Sequence, residues 1–260
     1  MPFSFAEYVS IFPVTERTDT LFSRYLASGG MPGAVDLPIQ TALPYLADIY
    51  QSIVRKDILT RHRWHADNHF ERVTRFVFDA IGASLPAGKI ANTLQTAGVK
   101  ISHNTVANYL DALAESFLFY KVRRFDVRGR NILSTQEKYY AADLGFKRAA
   151  LGDAMLSDMG HNLENIVFLE LLRRGHQVFV GKAADTEIDF VARQPGGATE
   201  YYQVAYAAKE PKTIARELRP FDLAKDFNRR TLITTDVEPT ANLNGICKIN
   251  VIDWLLEGKP

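Results

Sequence analysis

The hydrophobic period changes along this 260-residue chain, and that change restricts it to a mixed α/β class. Up to about residue 82, apolar side chains recur every three or four residues, the spacing of one helix face. Tyr45, Leu46, Ile49, Tyr50, Ile53 and Val54 form one such series, and Phe70, Val73, Val77 and Ile81 another. Leu21, Tyr25 and Leu26 belong to an earlier helix. Gly29-Gly30-Met31-Pro32-Gly33 must end it, because glycines and a proline in that density do not continue a helix. Beyond residue 146 the period shortens to two in several runs, the spacing of strands.

Residues 83–145 mix both signals. Lys89–Ala97 reads as a short helix closed by Gly98, and Val99-Lys100-Ile101 makes a tight turn. Ser102 precedes a second helix, His103 to about Phe117, with Val106, Tyr109, Leu110 and Leu113 on one face. Phe119–Phe125 then reads as a strand, Gly129 as a turn and Tyr139-Tyr140-Ala141 as a return strand. The pattern is a helix-turn-helix followed by a wing. From 146 to 260 the expected order is a helix near Asn162–Arg174, strands at Gln177–Val180, Thr186–Ala192 and Tyr201–Tyr206, a helix near Ile214–Asp226, and a strand at Thr231–Thr235. The expected domains are therefore a helical region (1–82), a winged helix (83–145) and an α/β domain (146–260).

Composition narrows the function classes. Hydrophobic residues at 47% exclude a disordered chain, and no apolar run is long enough to span a membrane. Met1–Glu7 lacks the basic stretch and apolar core of a signal peptide, and Cys247 has no second cysteine to pair with. The expected setting is a reducing cytoplasm with no membrane partner. A formal charge of +1 means that any nucleic-acid contact must come from how charge is distributed. Lys121, Arg123, Arg124, Arg128 and Arg130 crowd one stretch in which Asp126 is the only acid. With Asn104 and Asn108 on the second helix, Arg123, Arg124, Arg128 and Arg130 are the expected DNA-binding residues, amides for base edges and guanidinium groups for phosphates.

Three constellations bear on catalysis. The nearest match to a phosphate loop, Gly82 to Gly88-Lys89-Ile90, has one residue too many and an isoleucine where a hydroxyl should meet magnesium, so it reads as a loop opening a helix. His62, His65 and His69 have spacings that place them on one helix face near Asp67, but Arg61, Arg63 and Arg72 disfavour a dication there. Glu164 lies on an apolar stripe with Val167, Phe168 and Leu171, a costly place for an unpaired carboxylate. Glu187 and Asp189 alternate to one face of their strand, opposite Ile188 and Phe190, and Gln203 and Ala205 share a face of the next. If those strands are neighbours, Asp189 and Gln203 converge with Glu164, and hard oxygens in such a cluster suit Mg²⁺.

A helix glutamate, Glu187-Ile188-Asp189 on the second strand and then a third strand resemble the PD-(D/E)XK, restriction-endonuclease-like nuclease fold. The resemblance implies that Glu164 and Asp189 match its metal-binding positions. It also implies that the third strand should carry Glu-X-Lys, where this chain has Gln203-Val204-Ala205. The missing lysine implies a degenerate site with no catalytic residue and no bound metal, unless Lys182 or Lys209 substitutes.

Nearly the whole chain also resembles the C-terminal portion of predicted bacterial and archaeal AAA-type ATPases, in which an ATPase core precedes a lid, a winged helix and a nuclease-like domain of unknown function. The residues that carry this include Gly29-Gly30-Met31-Pro32, Ile53–Ile58, Thr105–Leu110, Asp143-Leu144-Gly145, Leu163-Glu164-Asn165, Glu187–Phe190 and Arg216-Glu217. The resemblance implies that residues 1–82 correspond to the lid. It also implies that the chain starts where the core should end, as a truncated gene product or a fragment. No cofactor is then expected for this chain, and ATP and Mg²⁺ only with an upstream ATPase core. The expected function is DNA binding and regulation without ATPase activity. A protein-interaction scaffold, engaging a protein partner or a second copy, and a metal-dependent nuclease are the alternatives.

Overall fold

The computed structural model describes residues 1–64 and 68–257, and it is a mixed α/β protein. The helices are α1 (Phe5–Ile11), α2 (Thr18–Ser28), α3 (Ile39–Ile53), α4 (Asn68–Asp79), α5 (Ala87–Thr96), α6 (His103–Glu115), α7 (Leu144–Leu151), α8 (Met159–Arg173), α9 (Pro211–Ala224) and α10 (Val251–Leu256). A π-helical segment, Val54–Thr60, continues α3. The strands are β1 (Phe119–Asp126), β2 (Asn131–Ala141), β3 (Gln177–Ala183), β4 (Thr186–Arg193), β5 (Thr199–Ala205), β6 (Arg229–Thr234), β7 (Ala241–Leu243) and β8 (Ile246–Asn250). They form one mixed sheet in the order β2-β1-β3-β4-β5-β6-β8-β7.

The chain packs as two compact units, and neither is continuous in sequence. One comprises Met1–Phe3, Ala27–Lys121 and Gln136–Asp158; the other Ser4–Leu26, Val122–Thr135 and Met159–Pro260. The β1–β2 hairpin is divided between them: Phe119–Lys121 and Gln136–Ala141 belong to the first unit and Val122–Thr135 to the second. The second unit also takes in α1 and most of α2 from the front of the chain.

The first unit is helical. α4 buries Phe70, Val73, Thr74, Val77 and Phe78, an i, i+3, i+4, i+7, i+8 stripe. α6 buries Val106, Tyr109, Leu110 and Leu113, the face read from the sequence. Phe78 lies 4.5 Å from Phe119 and 6.0 Å from Tyr50, joining α4 to β1 and α3. α5 ends at Gly98, whose φ of +82° suits glycine. Ser102 then caps α6 by accepting the Thr105 amide at 3.1 Å.

The second unit contains β3 to β8 between helices. β3, β4 and β5 are antiparallel neighbours, and β6 runs parallel to β5, as β8 does to β6. Beneath α9 lies an apolar cluster that includes Phe179, Ile188, Val191, Tyr201, Ala205, Phe221 and Leu232. On the other face α8 and α10 pack, tied by the Arg174 guanidinium 4.1 Å over the Trp254 ring. The helix, three strands, helix and strand expected from 146 onward are all present. β7, β8 and α10 are further elements that the sequence reading did not anticipate.

Candidate functional site

Asp189 stands where β4 and β5 part. The ladder pairs Arg193 with Thr199, Ala192 with Glu200, Val191 with Tyr201 and Phe190 with Tyr202. At the next step side chains replace the backbone bonds. The Asp189 amide donates to Gln203 Oε1 at 3.4 Å, and Asp189 Oδ2 accepts the Val204 amide at 2.8 Å. Gln203 Nε2 in turn donates to Glu217 Oε2 on α9 at 3.4 Å. Glu217 Oε1 accepts from Arg216 Nε and Nη2 at 3.1 and 2.8 Å. The structure thus brings Asp189 and Gln203 together.

It adds Glu217, which sequence reasoning left without a role. The signal was present: Ile214, Phe221 and Ala224 lie three before, four after and seven after it, so Glu217 rides an apolar helix stripe as Glu164 does. Glu164 itself is buried on α8, which packs on β3, β4 and β5.

One expectation about this strand needs correction. Ile188 and Phe190 do not share a face. Ile188 belongs to the cluster beneath α9, whereas the Phe190 ring lies 6.1 Å from Phe168 of α8. The cause is a register shift. Between Phe179 and Gly181 on β3, the partner on β4 moves from Val191 to Ile188, so β4 carries one residue more. Simple alternation fails at such a bulge. Gly181 makes the close approach possible, since a Cβ there would lie 2.8 Å from Val191 Cγ2 and 2.9 Å from Ile188 Cβ.

Ala205 sits in the apolar cluster, 9% exposed. A lysine at that position would start from a buried site within an apolar cluster, a costly place for an unpaired charge. Lys182 lies on β3 opposite Glu187, and Lys209 is exposed in the loop after β5. Among the described residues no group of three or more His, Cys, Asp or Glu side chains is arranged to hold a metal ion.

His62 and His69 do not share one helix face. The helix ends at His62, and Arg63 adopts φ +55°, which turns the chain away from helical geometry before α4 begins at Asn68. His62 stacks on Trp64 at 4.6 Å and faces Glu115 at 3.7 Å. His65 and Asp67 lie outside the described residues. The segment after Gly82 is committed to β2: the Gly82 and Leu85 amides donate to the Tyr139 and Glu137 carbonyls at 3.0 and 3.1 Å. Amides so engaged do not cradle a phosphate.

In the first unit, Asn104 and Asn108 are exposed one turn apart on α6. Asp111 and Glu115 continue the same face toward its C-terminus, and Asp111 accepts from Lys121 Nζ at 3.1 Å. In the second unit the four arginines of the hairpin divide. Arg124 meets Glu187 at 3.4 Å, and Arg128 Nε donates to the Leu223 carbonyl at 3.1 Å. Arg123 and Arg130 are exposed. Asp126 Oδ1 accepts the Arg128 and Gly129 amides, both at 3.0 Å, and this turn lets β2 start at Asn131, well before the expected Tyr139.

A family model described as a domain of unknown function, DUF8612, matches residues 19–157, more than half the chain. The chain belongs to that family. The matched stretch ends just before α8, so the family model covers the first unit from Ala27 to Ser157 and stops short of β3–β8. Two relatives extend over nearly the whole chain. A protein of Haemophilus influenzae described as uncharacterized is 37% identical over 261 residues, covering 98% of this chain and 64% of its own length. One of Methanocaldococcus jannaschii, described likewise, is 26% identical over 269 residues, covering 97% of this chain and 59% of its own. The chain therefore spans less than two thirds of either relative. No solved structure matches. Among the described residues no helix is long and apolar enough to cross a membrane.

Proposed function

We propose that this chain is the DNA-binding and regulatory part of a longer, ATPase-family protein, and that its nuclease-like portion does not cut DNA. The observation that carries the DNA reading is the α5–turn–α6 pair. Two short helices pack on each other, a glycine at positive φ makes the turn and a serine caps the second helix, as a helix-turn-helix requires. The exposed face of α6 is also polarised. Its N-terminal half offers the amides of Asn104 and Asn108, while its acids, Asp111 and Glu115, sit toward the other end. Base-contacting residues of such helices lie in the N-terminal half.

The order α8, β3-β4-β5, α9, β6 supports the nuclease-like reading, and Ala205 in its apolar cluster supports the absence of cleavage. Hydrolysis of a phosphodiester needs a metal and a group that orients water. Here Asp189 is engaged by the Val204 amide and Glu217 by Gln203 and Arg216. The length of the relatives is in keeping with a further region in the full protein.

The test is duplex affinity at low and moderate salt for the wild type and for Asn104→Ala/Asn108→Ala and Arg123→Gln/Arg130→Gln. Binding that weakens in both variants is the expected result. Absence of binding at low salt favours the scaffold reading. Cleavage of supercoiled or branched DNA with Mn²⁺ that is lost in Asp189→Asn would promote the nuclease reading.

A further inference from the structure

We infer that the first unit carries a phosphate-backbone track for duplex DNA along the helix-turn-helix turn and the first turn of α4, with Arg72 and Lys100 as its contacts. The inference rests on the DNA reading above and adds a surface that the expected contact residues did not include. Two depressions meet at Gly98, Val99 and Lys100. One, about 600 Å³, is lined by these with Gln95, Ile101 and Ser102. The other, about 430 Å³, is lined by the same turn with Asn68, His69 and Arg72. Both are open to solvent and adjoin along that turn, and neither is an enclosed pocket. Open depressions suit a polymer laid across them better than a small molecule held inside.

Their lining decides the sign of the ligand. Arg72 and Lys100 are exposed, and no Asp or Glu lines them among the described residues. The neutral groups around them, Asn68, Gln95 and Ser102, are the kind of side chain that bonds phosphate oxygens. Geometry already orders two of them: Asn68 Oδ1 accepts Arg72 Nε at 3.2 Å, and Gln95 Nε2 donates to the Ile101 carbonyl at 2.7 Å. The larger depression reaches Ser102, the cap of the thirteen-residue α6, so the positive end of that helix dipole adds to the same field. The acids of α6, Asp111 and Glu115, lie toward its far end. A phosphate strand laid along them therefore leads to the end of α6 that bears Asn104 and Asn108.

The experiment measures affinity for a short duplex as a function of salt. It compares wild type, Arg72→Gln/Lys100→Gln, the charge reversal Lys100→Glu, Asn104→Ala/Asn108→Ala, and Lys212→Ala as a control on an exposed lysine in the other unit. Thermal melting followed by circular dichroism shows that each variant is folded. The glutamine pair is expected to lose at least about tenfold in affinity and to reduce the salt slope by about 1.8, two phosphate contacts' worth. Lys100→Glu is expected to bind more weakly than wild type, and Lys212→Ala to match it. Unchanged affinity and slope in the folded glutamine pair, with loss in the asparagine pair, overturns the track and leaves the DNA reading standing. No binding by wild type at low salt overturns both.

Discussion

Each unit buries an aspartate, and the two solve the resulting problem differently. In the helical unit Asp143, 2% exposed, starts α7. Its Oδ2 accepts the Gly30 amide and its Oδ1 the Gly145 amide, each at 2.7 Å. In the sheet unit Asp236, 3% exposed, accepts the Ala208 amide at 2.9 Å and faces the ammonium of buried Lys248 at 3.1 Å. Lys248 also reaches Glu238 at 2.9 Å and the Ala208 carbonyl at 3.0 Å. Around Asp143 the space itself is the constraint: a Cβ at Gly145 would lie 2.6 Å from Oδ1, so the first solution demands glycine there. An ion pair demands only a long side chain with room to turn inward. The first leaves a mark in the sequence and the second does not.

The comparison is broken hardest by Gly145→Ala. A Cβ there would lie 2.5 Å from the Ser28 carbonyl oxygen and 2.6 Å from Asp143 Oδ1, and backbone cannot step aside cheaply. The expected loss is about 3 kcal/mol or more in urea unfolding. Gly160→Ala on α8, where a Cβ meets nothing within 4 Å, supplies the contrast and should gain about 0.5–1 kcal/mol. Equal effects of the two would mean that the clasp does not need its glycine.

Asp236→Asn comes next, with an expected loss of about 2–4 kcal/mol, because it leaves a buried ammonium with one fewer counter-charge. Burial opposes ionisation of Asp236, yet the Ala208 amide and Lys248 outweigh it and hold the carboxyl below its ordinary value. Burial likewise disfavours the Lys248 charge, and Glu238 and Asp236 outweigh it and raise that group above its ordinary value. A carboxyl with a lowered pKa stabilises the fold above its unfolded value of 3.8, and the contribution is lost as pH falls through the folded value. A raised ammonium stabilises below 10.5, and its contribution is lost as pH rises through the folded value. Wild-type stability should therefore fall at both ends of the pH range. The acid fall should be shallower in Asp236→Asn, as measured by unfolding free energy from pH 2 to 7.

Ser102→Ala sharpens the comparison at the small end. It removes one cap bond in the helical unit and should cost about 1 kcal/mol. A loss as large as that of Asp236→Asn would place the cap among the principal supports of its unit.

Legibility followed the same division. The helix faces of α4 and α6, the stop after α2 and the turn before α6 were readable because each depends on local spacing, a glycine or a cap. β8 was not, because Lys248 stands buried in the middle of it and makes Ile246–Asn250 look half polar. The bulge in β4 was equally hidden, so the faces of Ile188 and Phe190 were misread. In the candidate site, the pairing of Asp189 with Gln203 was legible from alternation within β5 and neighbouring strands, whereas Glu217 needed α9 to be laid over them.

The sequence by itself determined the mixed α/β class and the order of elements from α8 to β6. Those are statements about residue type and period, which act within a few residues. Only the tertiary structure decided that the units interleave through the hairpin and that Arg124 and Arg128 are occupied by Glu187 and the Leu223 carbonyl. It alone brought Lys100 and Arg72 to the lining of one depression. Such contacts join residues far apart in the chain, and a long side chain can satisfy itself against whichever partner the packing brings within reach.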